Sequence, residues 1–136
     1  MIWVVDTSAV IRMFVPDGPL HPEIEPAMTG AMDGTDAVLA PDLMLVESAN
    51  VLLCKCRRGE LSSEEAGRIV DAITDVPVRI EPHTPVLFAA FSLASGYGLT
   101  VYDAIYLALA ELHGARLLTA DDRVDCVATT MGLGHP

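Results

Sequence analysis

The chain has 136 residues, of which 51% are apolar, and its 8 basic and 19 acidic side chains give a formal net charge of −11. This length predicts a single domain over residues 1–136, and the acidic balance argues against a general nucleic-acid binder, which normally carries a basic footprint. No apolar run approaches the ~20 residues of a membrane helix, and an acid within six residues of the start favours a first strand over a signal peptide, so we expect a cytoplasmic protein.

Strands and helices alternate in the first half of the chain. Apolar runs predict the strands, and the helices follow from apolar periodicity and from start and stop signals such as Gly59. Thr7 or Ser8 is expected to cap the first helix. The predicted elements are a strand over 2–5, a helix over 7–14, a helix over 21–33, a strand over 38–40 and a helix from 43 to about 58.

The same alternation continues to the end of the chain. The predicted elements are a helix from a capping box at 62–65 to about 74, a strand over 78–80, helices over 85–95 and 103–113, a strand over 116–119 and a helix starting at Asp121 or Asp122. Alternating strands and helices imply right-handed crossovers and a parallel sheet covered on both faces. Sites in such folds lie outside the carboxyl ends of the strands.

Four acidic residues stand at the ends of apolar elements or within them. Asp6 ends the first strand, Glu47 lies inside the apolar stretch 43–53, Asp103 precedes the apolar stretch 104–110, and Asp121 follows the last strand. A lone buried carboxylate costs several kcal/mol unless it is paired or bound to a metal. These acids therefore predict one shared site, and oxygen ligands of this kind suit Mg²⁺ or Mn²⁺.

Each of these acids also has an ordinary structural explanation. Glu47 can be a boundary residue that turns to solvent, and Asp6, Asp103 and Asp121 can be helix caps. Asp6 and Asp121 nevertheless both follow strands, at the edge where sites form. A divalent cation there can activate a water and stabilise the leaving oxygen of a phosphodiester. The sequence contains no Gly-x-Ser-x-Gly elbow and no Gly-x-x-x-x-Gly-Lys phosphate loop.

The order and spacing of the acidic motifs resemble the PIN-domain family, and most closely its VapC-type ribonuclease toxins. The similarity extends over nearly the whole length. It is carried by the segments VVDTSA at 4–9, APDL at 40–43 with VESANVL at 46–52, RRGELS at 57–62, YGLTVYDAIYLALA at 97–110 and LLTAD at 117–121.

The resemblance implies a three-layer α/β/α PIN-like fold with a central parallel sheet and a metal-dependent endoribonuclease that uses Mg²⁺ or Mn²⁺. It also implies a homodimer that is inhibited by a cognate VapB-type antitoxin. Matched motif by motif, Asp6, Glu47, Asp103 and Asp121 become the catalytic, metal-holding acids. Thr119 becomes a helper that hydrogen-bonds a ligand or water. Asp122 competes with Asp121 for the fourth position, and Asp121 fits the motif better.

Two further sets of residues remain as candidates. Asn50, one turn after Glu47, either hydrogen-bonds the site or braces its helix. Five of the eight basic residues are candidates for phosphate contacts to RNA, and each of them can equally be a solvated residue at a helix end: Arg12, Lys55, Arg57, Arg58 and Arg123.

Two alternative functions stay open. The first is a non-catalytic binding module whose acidic pocket holds an ion or the basic side chain of a partner. The second is a metal-dependent phosphatase of another α/β fold, which the lack of an Asp-x-Asp pair at the end of the first strand disfavours.

Overall fold

A parallel sheet lies at the centre of the computed structural model, which describes residues 1–134. Within these residues, four strands are hydrogen-bonded in the order β3-β2-β1-β4. The register places Val4 beside Leu39 on one side and beside Leu117 on the other. The strands are β1 (Ile2–Val5), β2 (Ala37–Pro41), β3 (Arg79–Glu81) and β4 (Arg116–Leu118).

Helices flank this sheet, as the alternating pattern predicts, and the α/β architecture with a parallel sheet is confirmed. The apolar stretch 104–110 is fully buried because its helix packs against β1, β2 and β4. Residues 1–134 form α1 (Thr7–Phe14), α2 (Ile24–Asp33), α3 (Leu43–Arg57), α4 (Ser63–Ile73), α5 (Leu87–Tyr97), α6 (Val101–His113) and α7 (Asp122–Thr130), with a 3₁₀ turn over Thr84–Val86 before α5.

The cap of α1 is one of the alternatives that the sequence leaves open, whereas α6 begins two residues before the predicted start at Asp103. Asp6, not Thr7 or Ser8, caps α1, because Asp6 keeps an extended backbone while its carboxylate accepts the Ala9 N–H at 3.0 Å. Thr100 caps α6, and its hydroxyl accepts the Asp103 N–H at 3.1 Å. Asp103 therefore lies in the first turn of α6 and does not begin it.

The other boundaries deviate by small amounts. The helix predicted over 21–33 begins only at Ile24, after a turn in which the Glu23 N–H donates to Nδ1 of His21 at 3.1 Å. The predicted capping box is confirmed, because Ser62 Oγ accepts the Glu65 N–H at 3.1 Å and Glu65 Oε1 accepts the Ser62 N–H at 3.3 Å.

Within residues 1–134, no single helix is long and apolar enough to cross a membrane. The segments 84–97 and 101–113 reach the required length and composition only when they are taken together, and they are bent by 116° relative to each other.

Candidate active site

The carboxyl ends of β1 and β4 bring the first and last of the four acids to one edge of the sheet. Val5 is paired with Leu118 in the parallel register, and the next residue, Asp6, donates its N–H to the Leu118 carbonyl at 3.1 Å. Asp121 follows three residues after Leu118 and caps α7. The sequence-based expectation that these two acids share an edge is therefore met.

Two hydroxyl groups connect the ends of these strands through Asp6. Asp6 Oδ1 accepts the Ser8 hydroxyl at 2.6 Å, and Oδ2 accepts the hydroxyl of buried Thr119. Ser8 Oγ in turn accepts the Ala120 N–H at 2.9 Å, and Thr119 Oγ1 accepts the Asp121 N–H at 3.0 Å. Asp6 is thus held in one orientation by residues more than 100 positions apart in the chain.

Glu47 is held inside the site and does not turn out to solvent. Its Oε1 accepts the Tyr106 hydroxyl at 2.5 Å and the Thr7 hydroxyl at 3.0 Å, so that α1, α3 and α6 meet at this carboxylate. Burial, followed by the hydrogen bond to Glu47, raises the pKa of the Tyr106 phenol. Tyr106 therefore stays protonated and remains a donor to Glu47 at any physiological pH.

The acids also influence one another electrostatically. Burial raises the pKa of Asp6 to about 6, against the opposing hydrogen bonds from Ser8, Thr119 and Ala9, and the charge of Asp103 raises it further. The pKa of Asp103 is raised first by burial and then by the charges of Asp121 and Glu47. The protein alone thus disfavours ionisation of Asp6 and Asp103.

All four acids line one cavity of about 350 Å³. Among residues 1–134, however, no three His, Cys, Asp or Glu side chains are grouped closely enough to hold a metal ion together. Mg²⁺ is commonly held by one or two carboxylates and keeps several waters. The donor set fits such an ion on two grounds. Every acid offers hard oxygen ligands, and a cation would offset the burial and the like charges that raise the pKa values of Asp6 and Asp103.

The remaining sequence-based candidates separate into those inside the cavity and those outside it. Arg12, Lys55 and Arg58 line its wall, whereas Asp122 lines an adjacent cavity of about 240 Å³. The other three lie elsewhere: Asn50 and Arg57 are exposed and do not line the cavity, and the guanidinium of Arg123 donates to the Gly98 carbonyl.

Sequence reasoning missed three hydroxyl residues that position the acids, namely Thr7, Ser8 and Tyr106. A local signal existed for Ser8, because an Asp-x-Ser spacing lets the hydroxyl reach back to the carboxylate of a helix cap. No local signal existed for Tyr106, which contacts Glu47 across 59 positions of sequence.

The fold and the placement of the acids together allow comparison with known proteins. The family model of the PIN domain matches residues 3–129. The chain belongs to the PIN domain family. This PIN domain is 37% identical over 120 residues to ribonuclease VapC3 of Pyrobaculum aerophilum, an alignment that covers 87% of this chain and 88% of the relative. It is 33% identical over 85 residues to ribonuclease VapC1 of Mycobacterium tuberculosis, covering 62% of this chain and 63% of that one.

Solved structures show the same fold. The crystal structure of PAE2754 from Pyrobaculum aerophilum superimposes with a TM-score of 0.71 at 22% identity, covering 93% of this PIN domain and 84% of that chain. Mycobacterium tuberculosis VapC20, a toxin that cleaves the sarcin–ricin loop, gives a TM-score of 0.63 at 14% identity, covering 92% and 94% of the two chains. At these identities the likeness concerns the fold alone.

Proposed function

We propose that this PIN domain is an endoribonuclease toxin that hydrolyses RNA phosphodiester bonds with Mg²⁺ or Mn²⁺. The observation that carries the proposal is the set of four carboxylates on one cavity at the carboxyl edge of the sheet. The sequence similarity to ribonuclease VapC3, which extends over 88% of that protein, supports the choice of RNA as the substrate.

In this proposal each acid has a role set by its surroundings. Asp6 is the most rigid ligand, because Ser8, Thr119 and the Ala9 N–H fix both of its oxygens. Asp103 and Asp121 complete the site directly or through water. When it is bound, the divalent cation supplies a water of lowered pKa as the nucleophile.

Glu47 is assigned to orienting the water that attacks the phosphate. Tyr106 and Thr7 donate to the same oxygen, Oε1, and thereby fix the direction of the carboxylate. Positioned groups of this kind supply much of the rate in phosphodiester hydrolysis, since the attacking and leaving oxygens must lie in line.

The partners follow from the same proposal. The relatives are VapC ribonucleases, so we propose RNA as substrate, a cognate VapB-type antitoxin as inhibitor, and a homodimer as the working unit in the cytoplasm. A net charge of −11 favours a basic antitoxin segment, whose Arg or Lys would enter the carboxylate site.

A non-catalytic binding module is the second candidate. It is favoured by one observation, that no three potential ligands among residues 1–134 are grouped closely enough to hold an ion. In that case the carboxylate cavity would receive the basic side chain of a partner.

Cleavage of RNA by the purified protein separates these two functions. We expect cleavage with Mg²⁺ or Mn²⁺, none with EDTA, and a loss of at least a hundredfold in Asp103→Asn, because removing one preorganised electrostatic group at a transition state, such as an oxyanion-hole donor, typically costs about 2.7–4 kcal/mol. Asp33→Asn is the matched control, since Asp33 is exposed at the end of α2. Equal cleavage by wild type and Asp103→Asn would contradict the catalytic assignment, and binding of Mn²⁺ without any cleavage would favour the binding module.

A further inference from the structure

A buried lysine stands in the wall of the acidic cavity. Lys55 lies on α3 two turns after Glu47, is buried, and lines the same cavity. Its Nζ is 2.5 Å from Oδ2 of Asp17, on the loop that follows α1. A buried ammonium group requires an anionic partner, and in the structure that partner is Asp17.

Asp17 is shared between two cations. Its Oδ1 lies 4.0 Å from Nε of Arg12. Arg12 is itself held against this loop, because its Nη1 donates to the Pro19 carbonyl at 3.2 Å. Its guanidinium also packs closely on Gly18, where a Cβ atom would come within 2.5 Å of Cζ of Arg12. The Asp17 carboxylate therefore lies between the ammonium group of a residue on α3 and the guanidinium group of a residue on α1.

The position between Lys55 and Arg12 that the Asp17 carboxylate occupies also suits a phosphate group. Arg and Lys bind carboxylates and phosphates through the same charge-assisted hydrogen bonds. The two sides of the contact differ in solvent access, because the Asp17 side chain is 43% exposed whereas that of Lys55 is 8% exposed. Asp17 can thus move into water when another anion arrives, and Lys55 cannot follow it.

The charges of the cavity wall favour this exchange. With every group ionised, the described residues of the wall carry five negative and three positive charges, and one divalent cation brings the sum to zero. Departure of Asp17 then leaves one net positive charge, which attracts a phosphate. The charged residues are Asp6, Asp17, Glu47, Asp103 and Asp121 against Arg12, Lys55 and Arg58.

We propose that Lys55 and Arg12 form a subsite for a backbone phosphate of single-stranded RNA beside the carboxylate site, and that Asp17 fills this subsite until the RNA phosphate displaces it. The choice of RNA rests on the function proposed above, whereas the subsite itself rests on the Lys55–Asp17–Arg12 contacts.

The test is the affinity for a short single-stranded RNA of mixed sequence, measured by fluorescence anisotropy with Mg²⁺ over a range of salt concentrations. All variants carry Asp103→Asn, and a gel confirms that the RNA stays intact. Lys55→Met, which keeps the aliphatic length, is expected to bind about tenfold more weakly, because it loses one charge-assisted hydrogen bond to the phosphate. It should also reduce the slope of log affinity against log salt by about 0.7, the value for one lost phosphate contact.

Asp17→Asn is the second test variant, because it removes, at a half-exposed position, the charge that competes with the RNA phosphate for Lys55 and Arg12. We expect it to bind RNA severalfold more tightly than its parent. Arg68→Met and Asp33→Asn are the matched controls, since they change charge at exposed positions and neither residue lines the cavity. Melting curves check that each variant is folded.

Two outcomes would overturn the subsite. One is equal binding by Lys55→Met and Arg68→Met. The other is weaker binding by Asp17→Asn, which would make Asp17 a residue that merely positions Lys55. Cleavage is measured separately, with the protein that keeps Asp103. If this protein does not cleave RNA but the variants show the expected affinities, the proposed function is rejected and the subsite is kept. If it cleaves RNA but the variants do not show these affinities, the subsite is rejected and the proposed function is kept.

Discussion

Asp6→Asn is expected to stabilise the cation-free protein at neutral pH by roughly 2–3 kcal/mol while it abolishes RNA cleavage. The pKa of Asp6 is raised from 3.8 to about 6, chiefly by burial, and each unit of such a shift corresponds to about 1.4 kcal/mol. An asparagine keeps the helix cap, because its oxygen accepts the Ala9 N–H and its amide can donate to Thr119. The substitution removes the buried charge and, with it, the proposed metal ligand.

The sign of the pH dependence follows from the direction of that shift. Below about pH 4, Asp6 is protonated in both the folded and the unfolded states, so it contributes no penalty. Between about pH 4 and pH 6 the folded state holds more protons than the unfolded state, and the free energy of unfolding falls as pH rises. Above about pH 6 the penalty is fully present. The raised pKa of Asp103 acts in the same direction.

Urea unfolding in EDTA at a series of pH values measures this effect. The difference in unfolding free energy between Asp6→Asn and wild type should be close to zero near pH 4 and should grow to its full value by pH 7. Asp33→Asn, with an exposed carboxylate, is the control and should follow wild type. A variant that is less stable than wild type at pH 7 would show that the charged Asp6 stabilises the metal-free fold.

Mn²⁺ is expected to raise the melting temperature of the wild type by about 10 °C at a concentration a hundredfold above its dissociation constant. Ligand binding to the folded state contributes about 2.7 kcal/mol under that condition, and one kcal/mol shifts the melting temperature of a chain of this size by about 4 °C. The cation also offsets the burial and the like charges that raise the pKa values of Asp6 and Asp103, so it should flatten the fall in unfolding free energy between pH 4 and pH 6.

Thermal melts with and without Mn²⁺ test this expectation. Asp6→Asn should lose most of the shift, and Asp33→Asn should keep it. A shift of the same size in Asp6→Asn and wild type would place the bound cation away from the carboxylate cavity.

The sequence alone predicts the sheet and the edge that carries the site. Buried parallel strands are near-continuous apolar runs, so residues 2–5 and the Leu117-Leu118 pair stand out without any structure. Helix caps are harder to assign, because the side chains of Asp6, Thr7 and Ser8 can all accept a hydrogen bond from a backbone N–H at the start of a helix. Only the backbone decides among them, and Asp6 alone precedes the helix in an extended conformation.

Contacts between distant segments are the part that sequence patterns miss. The Tyr106–Glu47 hydrogen bond and the Lys55–Asp17 ion pair join segments that are 59 and 38 positions apart. The helical period does contain one usable signal. The cavity-lining stripe of α3 and its cap is Glu47, Val51, Lys55 and Arg58, at steps of four, four and three residues. Asn50 falls outside this stripe and is exposed, which one-turn proximity to Glu47 alone does not reveal.

Sequencing of RNA ends after induction of the protein in cells tests the central claim most directly, with Asp6→Asn expressed in parallel at a matched level. We expect new RNA ends at defined positions with the wild type and a return to background with Asp6→Asn. Identical end profiles for the two proteins, in cells that contain both folded at equal abundance, would contradict the assignment of this PIN domain as an RNA-cleaving toxin that acts through its carboxylate site.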